Sequence, residues 1–191
     1  MTFYSDPAKS VQAASVLLRA HPGRRMGCLR LLKLLYLADR ESLKLTGRPI
    51  VGDRPIAMNH GPVHGGVLEL IDGIHPSEQA WSAYISKTGY ALELLNDPGV
   101  LQLSKQDIVI LDSVAQRHGN DSDWDLAELT RTFGEWRKSY VDGALNAIPV
   151  EDILDGIGFS PEDRAAILED LNESREDDAL VSPPPPSALV A

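Results

Sequence analysis

Residues 29–66 read LRLLKLLYLADRESLKLTGRPIVGDRPIAMNHGPVHGG, and their apolar spacing decides the architecture. Leu29, Leu32, Tyr36 and Leu43 form one strip at helical spacing, and Leu31, Leu35, Ala38 and Leu45 form a second. Two strips imply burial on more than one side, so this segment is expected to be the central helix. Asp39 interrupts the first strip, three residues after Tyr36 and four before Leu43. A carboxylate there needs hydrogen-bonding partners, because burial without them is costly. What remains is basic: Arg30, Lys33, Arg40 and Lys44 are expected to face outward. The helix should end at Thr46-Gly47. Beyond it, Pro49 and Pro55 forbid a long regular strand, leaving short extended pieces around Asp53. Pro62 suits the first turn of a further helix carrying Val63, Val67, Leu68 and Ile71.

Working outward, residues 7–20 read as a first helix, capped by Ser5 or Asp6, with Val11, Ala14, Leu17 and Leu18 inward. His21-Pro22-Gly23 ends it. Residues 81–95 change period. Trp81, Ala83 and Ile85 alternate before Lys87-Thr88-Gly89, and Tyr90, Leu92 and Leu94 alternate after it, which predicts a small β-hairpin. Ser104 with Asp107 forms a capping box that opens a helix through Val109, Leu111 and Val114. Another helix starts near Asp123 and contains Trp124, Leu126, Leu129 and Phe133. Pro149 and Ser160-Pro161-Glu162 mark two shorter ones. Residues 173–191 hold an acidic run and four consecutive prolines (183–186), which favour an extended rod with little to bury. The expected fold is mainly α-helical α+β. One globular domain (1–172) carries the hairpin and is followed by a disordered acidic, proline-rich tail (173–191).

A chain of 191 residues with 43% hydrophobic and 24% charged content can bury one ordinary core. No apolar run reaches the ~18 residues of a membrane span, and MTFYSDPAKS lacks the pattern of a signal peptide. The single cysteine, Cys28, excludes an internal disulfide and fits a reducing cytosol, so a soluble cytoplasmic protein is expected. The net charge of -10 conceals an asymmetry: residues 1–60 hold ten Lys/Arg against four Asp/Glu, and residues 61–191 hold eight against twenty-four. An acidic protein repels phosphates, which argues against wholesale nucleic-acid binding and leaves a charged protein partner as the better expectation.

No set of residues assembles into an enzyme. His60 and His64 are four apart, but Pro62 lies between them and neither Glu nor Cys completes a zinc site. Cys28 has no triad partners and reads as a structural thiol. The acids of residues 151–178 lack the order of a calcium loop, and Gly61, Gly65 and Gly66 do not make a phosphate cradle. No cofactor or metal is therefore expected. Asp39 is open to two readings. It is either a structural carboxylate bridging to Arg48, Arg54, Asn59 or Tyr36, or the rim of a groove formed with residues 59–62. Tyr36 and Trp136 fit core positions better than partner anchors.

Leu-Lys-Leu-Leu-Tyr-Leu-Ala-Asp (32–39), Leu-Thr-Gly-Arg-Pro-Ile (45–50) and Gly-Pro-Val (61–63), in this order, resemble the Panacea or SocA-like antitoxin domain of prophage-associated proteins. A weaker match continues through Asp125-Leu126 and Leu129-Thr130 to Trp136; where family members often carry His, this chain has Arg131. The resemblance implies an antitoxin that binds a cognate toxin directly. It implies as an alternative a proteolytic adaptor that delivers the toxin to an ATP-dependent protease. A weaker third reading is a DNA-binding autoregulator using Arg30, Lys33, Arg40 and Lys44. For the toxin, the surface expected from the basic face of the central helix and the 59–64 loop comprises Arg30, Lys33, Tyr36, Asp39, Arg40, Asn59, His60, Gly61, Pro62 and His64. At the C-terminus, Leu189-Val190-Ala191 resembles the small apolar ending that bacterial unfoldases recognise, a candidate protease handle.

Overall fold

Helix α2 (Cys28–Thr46) runs through the middle of the protein, as its two apolar strips require. The computed structural model describes residues 6–181, with side chains through residue 174. The expectations attached to Leu189, Val190 and Ala191 lie outside the described residues. Before α2 come α1 (Pro7–Ala20) and the short β1 (Arg25–Gly27). Asp6 caps α1 by accepting the Ala8 N–H at 2.8 Å, and Pro7 occupies the first turn, where its missing N–H costs nothing. Gly47 ends α2 in the left-handed conformation (φ 73°), which glycine adopts without strain.

After α2 the order is β2 (Pro55–Met58), β3 (Gly61–His64), α3 (Gly65–Asp72), α4 (Glu78–Ser82), β4 (Ile85–Thr88) and β5 (Ala91–Leu94). Then follow α5 (Lys105–Arg117), α6 (Asp123–Arg131), α7 (Gly134–Ser139), β6 (Asn146–Ala147), α8 (Val150–Gly156) and α9 (Pro161–Val181). Two three-stranded antiparallel sheets result, β1-β5-β4 and β3-β2-β6. The fold is mainly helical α+β, and the 81–95 hairpin is present as β4–β5. Capping boxes at Ser104/Asp107 and Ser122/Asp125 open α5 and α6.

Four local expectations change. Pro62 does not begin a helix: it lies in β3 opposite Ala57, and α3 starts three residues later. β3 is an edge strand, where proline's missing N–H breaks no ladder. Asp53 then caps α3 from the preceding loop, accepting the Val67 N–H at 2.8 Å. Trp81 belongs to α4 rather than to the hairpin, and is buried there. Val109 and Leu45 face outward, while Ile110 and Leu111 fill the core. Finally, α9 continues to Val181, past residue 173 where the tail was expected to start.

The main core joins α1, α2 and α5 through Leu17, Leu18, Leu31, Leu35, Leu111 and Val114, with Leu92 from β5. A second cluster gathers Leu43, Ala57, Trp136, Ile148, Ile153 and Leu154, and Ile167, Leu168 and Leu171 of α9 pack on it. α2 thus gives Leu31, Leu34 and Leu35 to the main core and Leu43 to the second cluster, and it is buried without a break over residues 30–36 while Lys44, Leu45 and Thr46 at its end stay exposed.

Candidate functional site

The loop after α2 folds back over Asp39. Its carboxylate accepts three backbone N–H groups: Ile50 at 3.0 Å and Val51 at 2.8 Å on Oδ1, and Gly52 at 3.0 Å on Oδ2. His64 Nε2 lies 3.4 Å from Oδ2. Asp39 is buried, so it is a structural carboxylate rather than a groove rim, but with partners other than those expected. Arg48 pairs with Asp170, Arg54 with Glu69, Asn59 with Tyr140, and Tyr36 with Glu135. The physical reason is reach. The chain turns at Gly47, about two helical turns beyond Asp39, and runs back along the helix, so the loop's own amides arrive before any long side chain does.

The outward basic face needs correction. Arg30 is buried and binds Asp123 together with the backbone carbonyls of His118 and Asp121, pinning the α5–α6 connection. Lys33 is 0% exposed, and its Nζ donates to Pro62 O at 2.8 Å. Burial holds its pKa down at about 7. Arg40 is partly covered: Nε donates to Glu135 at 2.8 Å, Nη2 donates to Gly156 O, and the guanidinium stacks over Phe133. Only Lys44 stands exposed. The third side of α2 is covered by α6 and by the β2–β3 hairpin, so two of its four cations lie inside.

Glu135, which the sequence reading did not single out, is completely buried and joins Arg40 to Tyr36 through Oε1. Burial and the neighbouring Glu135 charge push the Tyr36 phenol well above its usual range. The result is a buried polar spine of Asp39, His64, Tyr36, Glu135 and Arg40. A Glu between Gly134 and Trp136 shows no periodicity that could mark it in advance.

Above this spine sits the β2–β3 hairpin. Asn59 and His60 at its tip are exposed, whereas Gly61, Pro62 and His64 are buried. The His60 ring meets Trp124 edge-on, 5.1 Å between centroids, and Trp124 is 61% exposed. Trp136 Nε1 donates to Met58 O at 2.9 Å and fixes the other side of the turn. His60 thus stands at the surface while His64 lies in the interior, and among the described residues no group of three His, Cys, Asp or Glu converges on a metal position. Gly61 has φ 91°, and a Cβ there would collide with Thr130 Oγ1. Gly61→Ala should cost about 2 kcal/mol or more through backbone strain and overpacking. Adding Thr130→Ala should recover only the collision part, which a double-mutant cycle by urea unfolding would measure.

On the far flank of α6, an open groove of about 430 Å³ lies between α2, α5 and α6. Leu37, Leu45, Val114, Leu129 and Phe133 supply its apolar lining, and Arg40, Glu41, Lys44, Arg117 and His118 its polar one. Arg117 grips Glu41 with two hydrogen bonds, at 2.6 and 2.9 Å, and holds that carboxyl below its usual range.

The segment running from α2 to α7, with its spine and hairpin, is the part of the chain that defines its class. A family model described as antitoxin SocA-like, Panacea domain, matches residues 31–137, and the chain belongs to that family. No curated protein and no solved structure matches the chain. Membership points to an antitoxin role in a toxin–antitoxin pair, with a cognate toxin as partner. Among the described residues no helix is long and apolar enough to cross a membrane.

Proposed function

We propose that this protein neutralises its toxin by direct, stoichiometric binding, without chemistry and without a cofactor. Family membership over residues 31–137 is the observation that carries the reading. Of the expected partner surface, we assign the contact to Asn59 and His60, which are exposed, and add Trp124, whose ring meets that of His60. Lys33, Tyr36, Asp39, Gly61, Pro62 and His64 serve it from beneath, by keeping the hairpin in shape. Arg30 does so for the loop that leads into Trp124. A tryptophan that a partner can cover is the kind of residue that dominates binding energy.

The test is co-expression with the toxic reading frame adjoining its gene. Growth should return only when this protein at least matches the toxin in amount, and the two should co-purify. Rescue by a small fraction of that amount, with turnover, would refute stoichiometric binding. Delivery to an ATP-dependent protease begins with the same complex, and a shortened toxin half-life in the presence of this protein would mark that route. Trp124→Ala should weaken toxin binding about tenfold or more while leaving the unfolding midpoint nearly unchanged, as titration and thermal melts would show.

A further inference from the structure

The groove on the α2–α5 flank of α6 has a composition that the hairpin reading leaves unused. Leu45 and Leu129 stand 59% and 36% exposed at its lip, and Leu37 and Phe133 line it. A single exposed leucine is ordinary, but several apolar side chains around one depression form a contiguous patch. The rim is cationic. Lys44 is exposed and has no ion pair among the described residues, and the Arg117 side chain is 52% exposed despite its hold on Glu41. With Arg40 held by Glu135 and Arg117 by Glu41, Lys44 supplies the unbalanced positive charge of this rim, on a chain of net charge -10.

We infer that the groove receives an amphipathic segment of the toxin, whose apolar side chains enter between Leu45, Leu129 and Phe133 and whose adjoining carboxylates meet Lys44 and Arg117. This rests on the antitoxin reading above. Such a segment lays its apolar face in the groove, while the rim charges set encounter rate and register. A second copy of the chain is the poorer occupant, because two bodies of charge -10 repel each other.

The toxin, identified as the product whose growth arrest this protein reverses, is titrated against the full chain and against Lys44→Glu, Leu45→Asp and their combination. All these changes lie at exposed positions, and thermal melts check that the fold persists. Leu45→Asp should weaken binding about tenfold at high salt, where the lost apolar contact remains, and more at low salt, where its carboxylate also repels those of the segment. Lys44→Glu should slow association severalfold at low salt, with the difference shrinking as salt rises. Leu129→Asp, on the facing helix, should reproduce the Leu45→Asp loss. Undiminished affinity in the double variant overturns the groove and leaves the antitoxin reading standing; no binding by the unaltered protein overturns both. Faster association by Lys44→Glu would mean a basic partner segment and overturn the stated chemistry. Dimerisation of the unaltered protein that the double variant loses would give the groove to a second copy instead.

Discussion

Asp39→Ala should destabilise the protein by about 3–5 kcal/mol, a large part of the ~5–15 kcal/mol that holds a domain of this size together. The expectation follows from what the carboxylate does. Three loop amides, those of Ile50, Val51 and Gly52, converge on its two oxygens in a buried place. Alanine offers none of them an acceptor, and each stranded buried donor costs about 1–3 kcal/mol, less where the loop can open to water. Asp39→Asn keeps one acceptor oxygen but turns an NH2 group toward the same donors, so it should lose somewhat less. Urea unfolding measures the loss, and amide exchange locates it: residues 50–52 should exchange faster in both variants. A change below about 1 kcal/mol with slow exchange at those amides would show that other acceptors replace the carboxylate. The consequence for function is direct. Asp39→Ala would abolish neutralisation by loosening the loop and the hairpin next to it, and that loss would not identify Asp39 as a contact.

The helices are legible in the sequence where their signals are local. Asp6-Pro7, Ser104 with Asp107, and Gly47 each supply a cap from within their own turn, and those ends fall where the sequence places them. Pro62 misleads because its helix-start signal and its tolerance in an edge strand are the same missing N–H. The choice falls to pairing with β2, which no local pattern reports. β1 and β6 are three and two residues long, too short for a period-two signal. The cations of α2 mislead for a different reason. Helical spacing tells which residues share a side, but not whether a second helix will cover that side. Arg30 and Lys33 become interior only when α6 and the hairpin close over them, with acceptors supplied by residues 118, 121, 123 and 62. Asp39 was legible as special, since a carboxylate inside an apolar strip needs partners, but its partners were not. Glu135 and Trp124 gain their importance from tertiary neighbours alone.

Between pH 7 and about 9 the protein should become more stable as pH rises, and Lys33 should be the cause. Its ammonium is completely buried with one carbonyl acceptor, and burial brings its pKa down to about 7. In the unfolded chain the same group titrates near ~10.4. Within that window the unfolded state binds a proton that the folded state has released, so the stability of the fold climbs with pH by up to about 1.4 kcal/mol per unit. The penalty is complete below pH 7, where the folded protein must either carry a buried charge or unfold. At higher pH two groups oppose the climb. The Tyr36 phenol and the Cys28 thiol are both raised by burial, so the fold retains protons there that the unfolded chain has lost. The curve should therefore rise by about 2 kcal/mol from pH 7 to 9 and then bend over. Lys33→Met isolates the lysine. It leaves Pro62 O without its donor, a cost of about 1 kcal/mol at high pH, but it removes the buried ammonium that weakens the fold at neutral pH and below. Urea midpoints across the range should show a clear slope for the unaltered protein and a nearly flat line for Lys33→Met over the same interval. Parallel curves would mean that the lysine keeps its proton in the folded state, screened by contacts stronger than one carbonyl can supply.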